Sequence, residues 1–483
     1  GMRVAVATSD SSIMYAALRT PKRAGIDPIP RLWQLYRSSD GGTTWQLKQS
    51  KLAELRSTLG YWENWYNAYV AVDPLLPNTI YLGNIQAYRS DDGGDTLIRI
   101  LDIHDDQHSL AFHPDDPQTV FFTGDGGIFR CTNRGASCSS LNEGLRVTMF
   151  YDVATAALDP SRMIGGTQDN GTIRFDGSDV WDMIRGGDGR YSEIDPFDSD
   201  TLYSQHQYLG STLKTDDGSA SAPKWYAAPG LPSDKLVQGI SYLFIHPNDS
   251  DVILGAGPKV YEHSSASSDW SKCPGCPPWS DIGPASAGSS VRRVAIDPTS
   301  YRYFAGRANG QLWVSESMSS AWAQVFSHPT GRPITGISID PWDANRIFLT
   351  IEGWGKTNGP LRVWMIERIV VAPDRSEDLV YWQATNITGN LPAGSALGSG
   401  HRQSDMVAAH PGQVDTIFVA TNRGVYRGRG TYADSKWTWN WDAYDCQLPW
   451  AQFTDLEIHP VTFYLFAATY GRGLWATPLP APD

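Results

Sequence analysis

Helical periodicity is scarce in this chain, and no run approaches the roughly 18 to 20 apolar residues that a membrane helix needs, so membrane insertion is not expected. Basic residues are also short: Lys and Arg number 39 against 52 Asp and Glu, a net charge of −13, which removes the electrostatic footprint of a phosphate-backbone binder. Nucleic acid is therefore not an expected partner. No Gly-rich phosphate cradle, Rossmann fingerprint or Ser/His/Asp constellation occurs in a strand-to-helix setting. Cysteine is sparse, with five in 483 residues. Cys131 and Cys138 flank a short polar loop, and Cys273-Pro-Gly-Cys276 lies in a Ser/Pro-rich one, so two local disulfides with Cys446 left over suit an oxidising compartment. A structural zinc site would need about four ligands, and the single CxxC supplies two. Sequons at Asn170, Asn248 and Asn386 are compatible with secretion. The chain is thus expected to be extracytoplasmic: secreted, periplasmic or on the cell surface. The leading Gly1-Met2 reads as an expression scar, so the lack of a leader is silent on this point.

What is abundant is Gly (46), Pro (31) and Trp (19), together with 41% hydrophobic residues, a composition that supports a large core and invites a search for repeats. An alternating apolar strand ending in Asp-Pro or His-Pro recurs at Asp73, His113, Asp159, Asp195, His246, Asp297, Asp340, His410 and His459. From Asp73 to His459 is 386 residues in eight steps, about 48 each, close to the length of a four-stranded propeller blade. A second apolar run follows each turn, as in TIYLG, TVFFTG, RIFLT and TIFVAT. The N-terminal RVAVATSDSSIMYAAL fits the same template without the Pro, making ten units that start near residues 2, 66, 108, 152, 190, 240, 291, 334, 404 and 455. Short alternating runs separated by Gly/Pro/Asn/Asp turns are the all-β pattern. The expectation is a β-propeller of four-stranded antiparallel blades spanning residues 1–483, closed as one ten-bladed ring or as two smaller rings. The last unit has only three strands, so its outer strand is absent or comes from elsewhere.

Third runs and hairpins complete the best-preserved units, with SSDGGTTW at Ser38 to Trp45 and SDDGGDTL at Ser90 to Leu97. Here the sequence resembles the Asp-box (BNR) repeat proteins, whose pattern is S-x-D-x-G-x-T-W: Ser38, Asp40, Gly42, Thr44 and Trp45 match, while Leu97 departs at the Trp. Weaker copies are KTDDGS from Lys214 and CTNRGASC from Cys131. The carboxylate accepts from amides of its own turn, Gly takes positive φ, and the Trp is expected to pack between blades. The motif speaks of fold and says little of chemistry. The resemblance implies a propeller like those of sialidases, xyloglucan-degrading glycoside hydrolases and the sortilin ectodomain.

With strands A to D in each unit, the Asp-Pro turn joins A to B and the Asp box joins C to D. The B–C turns and D–A crossovers then share the opposite rim, where function is expected. His104, Asp106 and His108 are spaced by two, so in an extended strand all three would face one way. That set is the ligand chemistry of a divalent cation, the only cofactor the sequence suggests; the bland alternative is a set of polar turn residues. Asp125, then Gln168, Asp169 and Asn170, then Asp188, project from the same rim on successive units. HDDQH, GTQDNGT and GGDG resemble segments that recur together in a bacterial group of Asp-box propellers. Glycoside hydrolysis needs two carboxylates about 5 to 9.5 Å apart, and Asp106, Asp125 and Asp188 are the candidate catalytic residues. A sialidase is not expected, because Ile29-Pro30-Arg31 and Gly331-Arg332-Pro333-Ile334 are scrambled or displaced versions of its Arg-Ile-Pro motif. The early catalytic Asp segment of the xyloglucan-degrading group has no alignable counterpart in Tyr15 to Asp27.

Candidate ligand-binding residues are Trp62, Trp65 and Trp354 as stacking platforms, with Gln168, Asp169, Asn170, His206, His401 and Arg402 as polar contacts. Trp437, Trp439 and Trp441, at period two, read as inter-blade packing, and Arg472 within TYGRG as a residue of ring closure. Three functions remain: a recognition module for a glycan or an extended peptide or protein segment, a glycoside hydrolase using paired carboxylates, and a ligand-free scaffold within a larger secreted protein.

Overall fold

A computed structural model describes residues 2–19, 33–48, 68–207, 209–232, 242–273, 275–284, 289–317, 321–352, 362–371, 379–392, 406–421, 424–444 and 448–480. Their strands form ten antiparallel sheets, eight of four strands running A-B-C-D in chain order and two of three running A-B-C. The strand A starts are Met2, Tyr69, Gln107, Phe150, Ser192, Tyr242, Val291, Ile334, Met406 and Gln452. The tenth sheet has three strands, ending with Leu474–Pro478.

Local chemistry makes the hairpins. In the A–B turns the Asp or His side chain accepts from the amide two residues on: Asp73 Oδ1 from Leu75 at 2.9 Å, Asp340 Oδ1 from Trp342 at 2.8 Å, and His246 Nδ1 from Asn248 at 3.1 Å. Carboxylate and imidazole interchange across the repeats because each offers one acceptor at the same place. The C–D turns at Ser38 and Ser90 are near copies. Thr44 N reaches Asp40 Oδ1 at 2.8 Å and Gly42 N reaches Ser38 Oγ at 2.9 Å. In the second, Thr96 N reaches Asp92 Oδ1 and Gly94 N reaches Ser90 Oγ, both at 2.8 Å. Trp45 departs from expectation: it is 40% exposed and donates to Gly42 O at 3.0 Å, buttressing its own turn. Both short disulfides are formed, Cys131–Cys138 between directly paired strands and Cys273–Cys276 within one loop; Cys446 lies outside the described residues.

The chain divides into two compact units, residues 1–146 and 147–483. In the first, strand A of sheet 1 (Met2–Val6) lies beside that of sheet 2 (Tyr69–Val72), which lies beside that of sheet 3 (Gln107–Phe112). In the second, the strands A of sheets 4 to 10 neighbour one another in order, and the last (Gln452–Ile458) packs back on the first (Phe150–Ala156). Seven sheets therefore close as a ring, and three form a unit of their own; the ring does not contain ten. The core is correspondingly divided into slabs between consecutive sheets. Phe304, Leu312 and Phe326 of sheet 7 meet Ile347, Leu349 and Ile366 of sheet 8. Phe348 and Met365 of sheet 8 meet Ile417, Trp439 and Trp441 of sheet 9. The two last tryptophans are each 5% exposed, as packing residues should be.

At the closing seam Phe150, Val153 and Met163 of sheet 4 bury against Phe466 and Ala468 of sheet 10. Among the described residues no strand is exchanged there, and a single antiparallel bridge joins Met149 to Tyr470. Instead the side chains of one inner strand cap amides of the next: Val153 N donates to Asp455 Oδ2 at 3.3 Å and Thr155 N to Glu457 Oε1 at 2.9 Å, with the Thr155 hydroxyl donating to the same oxygen. The pattern recurs at three other junctions, with Ser192 N on Asp152 Oδ2 at 2.8 Å, Ile245 N on Glu193, and Ala409 N on Ser338 Oγ at 3.0 Å. Arg293, 6% exposed, lies over Tyr242 at 4.6 Å and donates to Tyr191 Oη at 3.0 Å. The turn containing Arg472 does join the seam, but through the amides of Gly471 and Gly473, which reach Thr148 O at 3.2 and 3.1 Å.

Crowding carboxylates around the ring axis makes their ionisation expensive. Burial pushes Glu457 up to about 8 and Asp455 up to about 6, and raises Asp152 and Glu193 as well. A carboxyl whose folded pKa exceeds its unfolded value, about 4, stabilises fully below that value and loses the contribution as pH rises through the folded pKa. Unfolding free energy of the ring should accordingly fall between about pH 4 and pH 8, by about 1.4 kcal/mol per pH unit for each carboxyl that is ionised in the unfolded chain and still protonated in the ring. Glu457→Gln, which keeps an acceptor for Thr155, should flatten that slope in denaturant melts at successive pH values.

Candidate functional site

The rim of the ring that carries the B–C turns and D–A crossovers gathers polar residues from sheets 10, 4 and 5. The sheet 4 turn, Thr167–Gly171, is a tight hairpin with Asp169 at φ 59° and Gly171 at φ 78°. Asp and Gly are the residue types that tolerate this region, so TQDNG folds as it does for backbone reasons. Thr167 Oγ1 seals it on Gly171 O at 2.7 Å, and Asn170 Nδ2 donates to Gln168 O at 3.0 Å.

The crossover from sheet 4 to sheet 5, residues 186–191, threads between that turn and the sheet 5 turn. Gly189 N donates to Thr167 O at 2.9 Å and Arg190 N to Gln205 O at 2.7 Å. The threading is tight. A Cβ at Gly166 would lie 1.7 Å from Arg190 O, and one at Gly189 would lie 2.3 Å from Gly171 O. Backbone packing thus holds Asp188 and Arg190 in place.

Asp188 is gripped on both oxygens, by Asp169 N at 2.9 Å and Gln207 Nε2 at 2.8 Å. Burial would raise its pKa, but hydrogen bonds from the side chain and amide of Asp169 and from Gln207, with the charge of Arg190, outweigh it and hold Asp188 low. Asp188 is therefore ionised at neutral pH. His206, in the sheet 5 turn, donates its amide to Ser211 Oγ at 2.9 Å. Its imidazole is pushed down to about 4, by burial first and then by the Arg185 charge, so it is neutral at physiological pH. Arg185 spends its guanidinium on Ser204 O at 2.6 Å and Ser211 O at 2.8 Å.

Beside this pair, Gln168 Oε1 accepts from Tyr151 Oη at 2.7 Å and also from Tyr470 Oη, which is 302 residues away in sequence. Burial lifts both phenols above their usual range, keeping them protonated donors. Arg190 lies flat on the Tyr151 ring, 3.8 Å from its centroid. Gln168, Asp169, Asn170, Asp188 and His206 were expected at one rim and the ring brings them together. Tyr151, Arg190, Gln207 and Tyr470 were not expected. Tyr151, Arg190 and Gln207 come from sheets 4 and 5 and the crossover between them, whereas Tyr470 becomes a neighbour only because sheet 10 packs on sheet 4.

Asp106, Asp125, His104 and His108 belong to the first unit. There His108 Nε2 meets Asp125 Oδ1 at 2.7 Å, His104 Nδ1 lies 2.8 Å from Asp105 O, and Asp125 N donates to Asp106 O at 3.1 Å. Of the expected cation set His104, Asp106 and His108, only His108 lies in strand A of sheet 3, which begins at Gln107; Asp106 takes φ 60°, so the alternation expected of an extended strand does not run through all three. Among the described residues no three His, Cys, Asp or Glu side chains are placed to hold a metal ion. Trp62, Trp65, Trp354, His401 and Arg402 lie outside the described residues.

No family model matches the chain, and no curated protein matches it. Among solved structures it is similar to an ancestral GH74 enzyme, with a TM-score of 0.62 and 17% identity over 100% of this chain and 72% of that one. YCF48 from Cyanidioschyzon merolae is aligned at a TM-score of 0.44 and 14% identity, over 68% of this chain and 94% of that one. The Niastella koreensis GH74 enzyme is aligned at 0.30 and 13%, over 98% and 83%. The first likeness shows a shared β-propeller fold, and the other two are too distant to carry an argument.

The tight crossover makes a direct prediction. Gly166→Ala should force Arg190 and its neighbours to shift and cost about 1–3 kcal/mol, read as a lower denaturation midpoint. Gly144→Ala, with nothing within 4 Å of the added atom but a φ of 78°, should show only the smaller cost of backbone strain.

Proposed function

We propose that this chain is an extracytoplasmic recognition module whose seven-sheet ring binds a glycan or an extended peptide at the rim of B–C turns and D–A crossovers. The observation that carries the reading is the double grip on Asp188, with the crossover locked by backbone contact at Gly166 and Gly189. Polar groups fixed before a ligand arrives lose little entropy when it binds. Two short disulfides favour an oxidising compartment. No described helix is long and apolar enough to cross a membrane, and the net charge of −13 argues against nucleic acid.

Glycoside hydrolysis is the second reading, supported by the fold likeness to an ancestral GH74 enzyme. The local geometry favours it less. Asp169 and Asp188 are hydrogen bonded to each other, whereas hydrolysis asks for carboxyls about 5 to 9.5 Å apart with room for the sugar or a water. Glu457, although protonated up to about 8, is tied to Thr155 at the ring axis.

Screening the protein on glycan and peptide arrays should give a ligand whose affinity drops at least about tenfold in Asp188→Asn, since that change weakens one of the two grips. Circular dichroism and the melting profile should be retained. Absence of any ligand from either array would leave the scaffold reading standing. New reducing ends from a polysaccharide panel, lost in Asp188→Asn, would establish the hydrolase instead.

A further inference from the structure

Arginines in the ring mostly spend their donors internally. Arg174 bonds Asp176 at 2.6 Å and Ala220 O at 2.9 Å, Arg307 bonds Ser289 O at 2.7 Å, and Arg185 bonds the carbonyls of Ser204 and Ser211 in sheet 5. Arg190 is different. It is half-buried, its guanidinium makes no hydrogen bond and no ion pair among the described residues, and its Nε is enclosed without an acceptor. The ring of Tyr151 holds it flat from one side. Its natural counter-ion, Asp188, has both oxygens committed to Asp169 and Gln207. A guanidinium carries five N–H donors in a rigid fork, and leaving them unsatisfied at a partly desolvated site is costly.

We propose that Arg190 is the carboxylate receptor of the rim and that the ligand is an acidic glycan, a chain of uronate sugars. The inference rests on the recognition reading and gives that ligand a charge. One guanidinium beside one ionised Asp188 suits a monoanion; a phosphate dianion would meet the repulsion of Asp188 with only one cation to offset it. The surroundings suit sugar hydroxyls. Gln168 Oε1 takes both tyrosine hydroxyls, and no described residue accepts from its Nε2. The neutral His206 imidazole has an enclosed Nε2 without a partner. Donor and acceptor functions thus flank the charge, as vicinal hydroxyls flank a sugar carboxylate. A peptide side chain would want an open aromatic face, and the face of Tyr151 is already covered by Arg190.

The test compares linear galacturonate, glucuronate and mannuronate oligomers with the same oligomers after reduction of each carboxyl to a neutral hydroxymethyl, by calorimetry on the full chain. At least one acidic oligomer should bind about tenfold or more tighter than its reduced form, and the difference should shrink as salt is added. In Arg190→Gln the acidic oligomer should fall to the level of the reduced one while the reduced one is unchanged, with Arg190→Lys in between. Equal affinity for acidic and reduced forms overturns the proposal and leaves glycan recognition intact. Equal loss of both in Arg190→Gln makes Arg190 a packing residue and also overturns it. No binding of any oligomer, or binding only of an acidic peptide, removes the glycan reading along with it.

Discussion

An inner strand of a propeller sheet has one edge paired within its own sheet and another edge facing the next sheet at an angle too steep for a regular ladder. Its amides on that edge need acceptors, because a buried N–H without one costs about 1–3 kcal/mol. In this protein the acceptors are side chains. Asp152, Glu193, Ser338, Asp455 and Glu457 each reach across to the neighbouring inner strand. The seven sheets are held as a ring by this capping and by the apolar slabs between them. The tenth sheet donates no strand to the fourth, so the seam at Val153 and Thr155 depends on carboxylates for its polar contacts. Burial raises the pKa values of the four carboxyls, with repulsion between neighbouring carboxylates adding to it, and the amide hydrogen bonds, which pull the other way, offset only part of that shift.

Ring closure also determines what the rim can do. Sheets 10, 4 and 5 are joined through Thr148, Gly471 and Gly473 on one side and through the crossover at Gly189 on the other. Tyr470, Tyr151, Gln168, Arg190 and Asp188 therefore occupy fixed positions that no single blade could define. The cost is backbone crowding so close that Gly166 and Gly189 have no space for a side chain. The gain is a constellation in which donors are aimed before a ligand arrives. The ionised Asp188, the neutral His206 and the uncommitted Arg190 are three electrostatic states produced by burial and partners rather than by residue type.

The first unit shows the limit of arguing from spacing. His104, Asp106 and His108 form an arresting pattern on paper, yet a single residue with φ 60° ends the extended conformation that would align them. His108 pairs with Asp125 instead. The Asp-box turns are more directly legible, because Ser38 to Thr44 and Ser90 to Thr96 build their geometry from atoms four residues apart or fewer.

The propeller class, the ten sheets, the Asp and His turns and the two disulfides were legible in the linear order of residues, since each depends on contacts within a blade and repeats with a period near 48 residues. So was the gathering of Gln168, Asp169, Asn170, Asp188 and His206 on one rim, which follows from strand direction alone. How many sheets close was not legible. The capping of Thr155 by Glu457 spans 302 residues, and the sum of small wedge angles between sheets decides where the ring ends. Membership of Tyr470 in the rim site followed from that closure, because proximity across a seam is a property of the folded ring and leaves no mark on sequence spacing.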